Sequence, residues 1–375
     1  MNFELNDEQR QLADSVARYL NDRYDFESRK KIIQSDSGLS DTVWGQLVEM
    51  GLLSIPFLED AGGFGGGAVD LMSAMQSAGA ALLIEPLLPN VVAGRLVDRL
   101  GSAAQKTAYL SPLIDGSRRL AFAFGEDGSR YQLDSVATRA TRSGTGTGWT
   151  LQGSKRVVYG APNAQHFIVS AVTDIAGLSL FVVAADAPGV RMSAYRNMDN
   201  QRAADVTFDD VQLGAYAQLG AEGAALYAIE EAMDFGTALL CAEGVGAMQY
   251  ACDTTLEYLK TRKQFGVAIG TFQVLQHRMV DMVIATEQAR SLCYLACSKV
   301  DGSSDARERS RVVSAAKIKV ADSARLVSQE AVQMHGGIGM TDELKVSHTF
   351  RRLTMLAQQW GDADYHLDRF AALDA

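Results

Sequence analysis

Leu5, Leu12, Val16 and Leu20 recur at spacings that keep one face of a helix apolar, with Asn6 or Asp7 ahead of them as an early cap. Helical periodicity of this kind runs from residue 3 to about 118 and predicts a helical first domain over residues 1–118. One stretch interrupts it. EDAGGFGGGAVD (59–70) has the permissive backbone of a turn and lacks the strand-before, helix-after setting of a nucleotide fingerprint, so it predicts a loop. Between 119 and 222 the pattern shortens to β-prone runs at 149–151, 156–159, 166–172 and 178–183, separated by glycine, asparagine and aspartate. These predict a middle β-domain, in which SGTGTGWTLQGSKRVV reads as a loop followed by a hairpin. Long helical patterns return over 223–375 with the length and periodicity of a four-helix bundle. Helices, then strands, then helices make a three-part α+β chain, and no repeat of about 20–50 residues suggests a solenoid.

A chain of 375 residues is long enough to bury cores in two or three domains and to enclose a large ligand. Apolar residues at 47% and charged residues at 21% exclude extended disorder. A formal charge of −10 without a long basic run argues against nucleic acid or an anionic membrane surface as partner. The opening MNFELNDEQR is acidic where a secretion signal is basic and then apolar, and no later apolar run reaches the roughly 20 residues that span a bilayer. The expectation is a cytoplasmic protein with no membrane insertion. Cys241, Cys252, Cys293 and Cys297 lack both paired CxxC spacing and the density of a disulfide scaffold, so they read as reduced core residues. Cys293 and Cys297 share a helix face, but with no histidine or second pair nearby no metal site is expected.

The chemistry concentrates in two blocks. EYLKTRKQFGVAIGTFQVLQHRMVDM (257–282) and QEAVQMHGGIGMTDE (329–343) stand in order on what read as consecutive long helices. Arg262 offers a fixed fork of donors for a diphosphate, and Gly336 and Gly337 let backbone N–H groups approach an anion. Together the blocks resemble the two signatures of the acyl-CoA dehydrogenase family. That resemblance implies bound FAD, with Arg262 and Phe265 reaching the cofactor of a neighbouring subunit and Gln333, Gly336 and Gly337 at its adenosine and diphosphate end. Gln264 and Gln273 carry over with them; Gln273 and His277 also fit a plain helix interface.

In the β-domain, AFAFGEDGSRY (121–131) departs from the family's Thr-Glu-Pro run, which leaves Ser129 to face the CoA phosphates or pantetheine. The family's flavin-contact trio is matched by Val157, Val158 and Tyr159. The family removes an α-proton with a carboxylate, and aligning 350–366 on its usual glutamate puts Trp360 there, where only the backbone N–H is left to polarise the thioester carbonyl. The second family position is matched by Gly236, beside Asp234 on the substrate side. Two turns further along the same helix, Glu243 is the one charged residue in ALLCAEGVGAM (238–248), which makes it the candidate base; an arginine-paired structural glutamate would look the same. Asp362 and Asp364 are the alternatives, at positions that in the family contact the flavin.

RYDFESRK (23–30), AGGFGGG (61–67), CAEGVGAM (241–248), 258–278 and GDADYHL (361–367) resemble the small subunit of pimeloyl-CoA dehydrogenase. By that resemblance the function is FAD-dependent α,β-dehydrogenation of an acyl-CoA to a trans-2-enoyl-CoA, with a dicarboxylyl or bulky acyl group. An electron-transfer flavoprotein or other acceptor, and a homo-oligomer or a heterotetramer with a related large subunit, are implied with it. The alternative is a non-catalytic flavin-site or scaffold subunit.

Overall fold

The computed structural model describes residues 5–143 and 148–373. The first residues of the helical reading and the 144–147 part of the SGTGTG loop lie outside them.

Helix α1 (Asp7–Arg23) starts where Asn6 accepts from the Gln9 amide at 2.8 Å and the Gln9 side chain accepts from the Asn6 amide at 2.9 Å, a capping box. Helices α2 (Phe26–Gln34), α3 (Asp41–Glu49), α4 (Ala68–Ala81) and α5 (Leu87–Leu100) follow. The short α6 (Ala103–Gln105) and α7 (Ser111–Ile114) are joined by one π-turn. The glycine-rich stretch ahead of α4 is a loop with a single 3-10 turn, and Asp301 caps α4 by accepting from Ala68 N at 2.7 Å and Val69 N at 2.9 Å.

Strands β1 (Leu120–Ala123), β2 (Arg139–Arg142), β3 (Gly148–Tyr159), β4 (His166–Val172), β5 (Leu178–Ala184), β6 (Val190–Arg196), β7 (Arg202–Gly214) and β8 (Gln218–Leu219) form one sheet. Its order is β6-β7-β3-β2-β4-β5-β8, with β1 parallel to β4. Trp149, Phe167, Phe181 and Phe208 fill its core. The expected hairpin in 148–159 is instead one strand, paired along its length with β7. Its register shifts at Leu151/Gly153 and Lys155/Val158 are bulges at Gly153 (φ +150°) and Val157 (φ +51°), whose local sequence imitates a turn while the ladder to β7 continues past it.

The C-terminal helices are α8 (Leu226–Thr261), then a hairpin of β9 (Lys263–Gln264) and β10 (Val267–Ala268), then α9 (Gln273–Gly302), α10 (Ala306–His335), α11 (Lys345–Gln358) and α12 (Ala363–Ala372). Three long helices, α8, α9 and α10, with the shorter α11 and α12, make up the expected C-terminal helical domain. All four cysteines are free and buried. Among the described residues no helix is long and apolar enough to cross a membrane.

Contacts group the chain otherwise than its sequence order does. One unit joins residues 1–31 and 68–83 to 237–375, and the other holds 32–67 and 84–236. The first-domain helix α4 belongs with the bundle because it meets α8 backbone to backbone. A Cβ at Gly79 would overlap the Glu243 carbonyl oxygen, and one at Gly246 the Gln76 carbonyl oxygen. Gly79→Ala or Gly246→Ala is therefore expected to cost about 1–3 kcal/mol by overpacking. Gly45→Ala, in α3 with open space at its Cβ, is expected to gain about 0.5–1 kcal/mol. Urea unfolding of the three variants checks both signs.

Candidate active site

Within the first unit, antiparallel α8, α9 and α10 bring the two signature blocks to one end of the bundle. Tyr258 near the end of α8 stacks on His335 at the end of α10, ring centroids 4.4 Å apart. Arg278 near the start of α9 donates to Glu330 on α10 at 2.5 and 3.1 Å. Arg262, Gln264, Phe265, Gln273, Gln333, Gly336 and Gly337 are all exposed there, as is His277. Phe265 is 90% exposed at the hairpin tip, and the Arg262 guanidinium has no partner among the described residues. Gly336 ends α10 at φ +67°, and the space where a Cβ would stand beside Gly336 or Gly337 is empty to 4 Å. An unspent guanidinium beside bare glycine backbone fits an anion approaching from outside the unit.

Within the second unit the expected ligand contacts are redistributed. The Ser129 hydroxyl is spent on its own turn, accepting from Glu126 N and donating to Glu126 O, both at 3.0 Å. Lys155, fully buried, anchors the loop that carries it, donating to Glu126 Oε1 at 2.6 Å and Ser170 Oγ at 3.0 Å. Burial pushes the Lys155 ammonium down to about 8 against the pull of Glu126. Val158 points into the sheet core, 2% exposed, and Tyr159 is half-buried. Val157 is the exposed member of the trio, at 45%. Its positive φ is rare for a β-branched residue and is held by Asp205, which accepts from Val157 N at 3.1 Å and from Arg156 at 2.8 Å. Asp234, 1% exposed on α8, lies two residues before Gly236.

The position aligned with the family's glutamate is a strained turn in the first unit. Trp360 follows α11 at φ +59°, a conformation that costs a non-glycine residue about 1–3 kcal/mol, and Gly361 follows at φ +121°. Buried Lys317 on α10 holds it by donating to the carbonyls of Leu356 (2.9 Å), Ala357 (3.1 Å) and Gly361 (2.7 Å). His366 Nε2 lies 3.2 Å from the Trp360 carbonyl. A carbonyl only accepts, so Nε2 carries the proton and Nδ1 takes the Ser314 hydroxyl at 3.3 Å. The Trp360 backbone N–H donates to no acceptor among the described residues. Asp362 caps α12, accepting from Tyr365 N at 2.8 Å, and Asp364 is exposed in the first turn of that helix.

Glu243 does not present the free carboxylate expected of a base. Its two oxygens accept from one guanidinium, Arg352 Nε at 2.6 Å and Nη2 at 2.9 Å, with both side chains buried. Arg352 reaches on to Gln359 Oε1 at 3.1 Å. Both carboxylate oxygens are thus committed to a buried guanidinium, and removing one partner of such a pair costs about 3–5 kcal/mol. The seven-residue step from Gly236 does return to nearly the same helix face. It also travels about 10 Å along α8, far enough for α4 and α11 to be the neighbours. Arg352, Gln359 and Lys317 were not singled out in the sequence; the signal for Arg352 was a buried-looking glutamate in need of a counter-charge.

Three domain descriptions of one family match in order: "Acyl-CoA dehydrogenase, N-terminal domain" over residues 6–117, "middle domain" over 121–211 and "C-terminal domain" over 224–372. The chain belongs to the acyl-CoA dehydrogenase family. Members are FAD-dependent oxidoreductases acting on the CH–CH bond of acyl-CoA thioesters. The chain is 30% identical to acyl-CoA dehydrogenase FadE12 of Mycobacterium tuberculosis, over 92% of this chain and 90% of that one. It is also similar to the ChsE4–ChsE5 complex from Mycobacterium tuberculosis (25% identity, TM-score 0.90, covering 99% of this chain and 98% of that one). The FAD complex of PigA gives 27% identity and TM-score 0.90, with full coverage of both chains. The exposed guanidinium and open glycine backbone at the bundle end suit the diphosphate of FAD.

Arg262→Ala is expected to weaken FAD retention about 10- to 100-fold, the worth of hydrogen bonds to a charged group, with unchanged circular dichroism. Flavin fluorescence on dilution measures it. A pH dependence follows from His366, which burial, with Lys317 and Arg369 adding to it, pushes from the ordinary 6.5 down to about 3. The unfolded chain takes up that proton near pH 6.5 while the folded one does not, so stability falls as pH falls below 6.5, by at most about 1.4 kcal/mol per pH unit. His366→Asn is expected to flatten the slope between pH 6.5 and 4.5 in urea titrations.

Proposed function

We propose that this chain works in FAD-dependent α,β-dehydrogenation of an acyl-CoA thioester to a trans-2-enoyl-CoA, assembled with a related large subunit that supplies the proton-abstracting carboxylate. The observation that carries this reading is the state of the two family base positions and of Glu243, with Asp362 spent on the α12 cap and Asp364 exposed in the first turn of that helix. Trp360 and Gly236 have no carboxylate, and that of Glu243 is held by Arg352 inside the bundle. When bound, FAD supplies the acceptor for the substrate's β-hydride.

What this chain contributes is binding and polarisation. Arg262 and the backbone at Gly336 and Gly337 would hold the anionic end of the cofactor. Trp360 offers to the thioester carbonyl an N–H that has no acceptor among the described residues, at the atom where charge develops as the α-proton leaves. Phe265 (90% exposed), Met340 (75%) and Val274 (65%) leave apolar surface at this bundle end, which suits a second subunit. A mixed assembly accords with the similarity to a protein solved as a two-component complex. Resemblance to a pimeloyl-CoA dehydrogenase small subunit favours a dicarboxylyl or otherwise bulky acyl group, and an electron-transfer flavoprotein as acceptor.

Anaerobic titration with a panel of acyl-CoAs, following the visible flavin band, tests this. The chain co-expressed with a homologous large subunit is expected to bleach with dicarboxylyl or bulky acyl-CoAs, and the chain alone to bind flavin without bleaching. Full bleaching by the chain alone would show that it carries its own base. Absence of flavin from both preparations would sink the proposal.

A further inference from the structure

We infer that Glu243 is a positioning residue: through Arg352 and Gln359 it holds the Trp360 turn in its left-handed conformation, with the backbone N–H turned to the thioester carbonyl. The inference rests on the reading of that N–H as the carbonyl's donor and adds the device that aims it.

Five helices meet in the brace. Glu243 sits on α8 at the point where Gly79 of α4 leaves no room for a Cβ, so its backbone is fixed by packing. Its carboxylate grips Arg352 on α11 at 2.6 and 2.9 Å. Nη1 of the same guanidinium donates to Gln359 Oε1 at 3.1 Å, and Gln359 is the residue before Trp360. A planar guanidinium gripped at two of its nitrogens has little rotational freedom, so its third is aimed as well. Beyond Trp360, Lys317 from α10 takes the Gly361 carbonyl at 2.7 Å, and His366 from α12 faces the Trp360 carbonyl at 3.2 Å.

The geometry assigns the two halves of the turn to separate anchors. Lys317 and His366 hold carbonyl oxygens at Trp360 and Gly361, while Arg352 holds the side chain of Gln359. A bulky residue keeps a positive φ only where its surroundings over-determine it, and with its carbonyl tied inward the Trp360 N–H has no acceptor among the described residues. An exposed loop would pair such an N–H with water; a buried brace keeps it pointed in one direction, which is what a carbonyl-polarising donor requires. A glutamate kept for charge balance alone would need neither Gln359 nor the strained residue after it.

The test uses the assembled, flavin-loaded enzyme with a bound acyl-CoA labelled with carbon-13 at the thioester carbonyl, read by isotope-edited Raman spectroscopy, together with steady-state kinetics. Gln359→Leu leaves the Glu243–Arg352 pair whole and cuts only its link to the turn, so it reports even if Glu243→Gln folds poorly. Both variants are expected to move the bound carbonyl stretch toward that of free thioester and to lower kcat about 10- to 100-fold with a smaller change in KM. The double variant is expected to lose no more than the larger single loss. A native carbonyl stretch equal to that of free thioester overturns the donor reading and this inference together. A shifted native stretch that neither variant moves overturns the brace alone. Loss of turnover in Glu243→Gln with an unmoved stretch, while Gln359→Leu turns over normally, would make Glu243 the base.

Discussion

The close crossing of α4 and α8 is the constraint from which the rest of the first unit follows. Two glycines, Gly79 and Gly246, let the helices touch through their backbones. Side-chain rotation cannot relax such a contact, so it sets the position of Glu243 more tightly than packing through side chains would. Glu243 in turn fixes Arg352, and Arg352 fixes the end of α11. A residue in the first hundred of the chain thereby helps to place one near its C-terminus, which is why contacts join α4 to the bundle and not to its sequence neighbours.

Charge inside this unit is managed by pairing and by many-fold donation. The Glu243–Arg352 pair is nearly dry, and so is Lys317, whose ammonium burial pushes down to about 8 while it serves three carbonyls. Replacing such groups with apolar ones of similar volume often leaves stability unchanged, so stability is a weak reason for keeping them. Their geometry is a stronger one. Each ends at the segment from Leu356 to Gly361, and none at the exposed bundle end that carries Arg262. The second unit repeats the device with Lys155 and Glu126, which secure the loop around Ser129.

Strain marks the same places. Val157 and Trp360 are bulky residues at positive φ, each held by a charged group: Asp205 for the one, and Arg352 with Lys317 for the other. Each stands in a stretch that the family resemblance assigns to flavin or thioester contact. Conformations that cost free energy persist where the surrounding structure enforces them, and ligand sites are where such enforcement is common.

The sequence by itself determined the order of helices, strands and helices, the α1 cap, the strand at 166–172 and the family, because periodicity, capping chemistry and two long motifs are local properties of the chain. It also showed that Trp360 and Gly236 carry no carboxylate. Only the tertiary structure decided what Glu243 does. Helical spacing tells which way a residue points, but the partner it meets depends on which helix lies opposite, and Arg352 is more than a hundred residues away. The strand at 148–159 was misread for the same reason: a bulge and a turn share residues, and only the continuing ladder to β7 separates them. Val158 and Ser129 followed suit. The family resemblance set both at a ligand, but their side chains are taken up by the sheet core and the Glu126 turn.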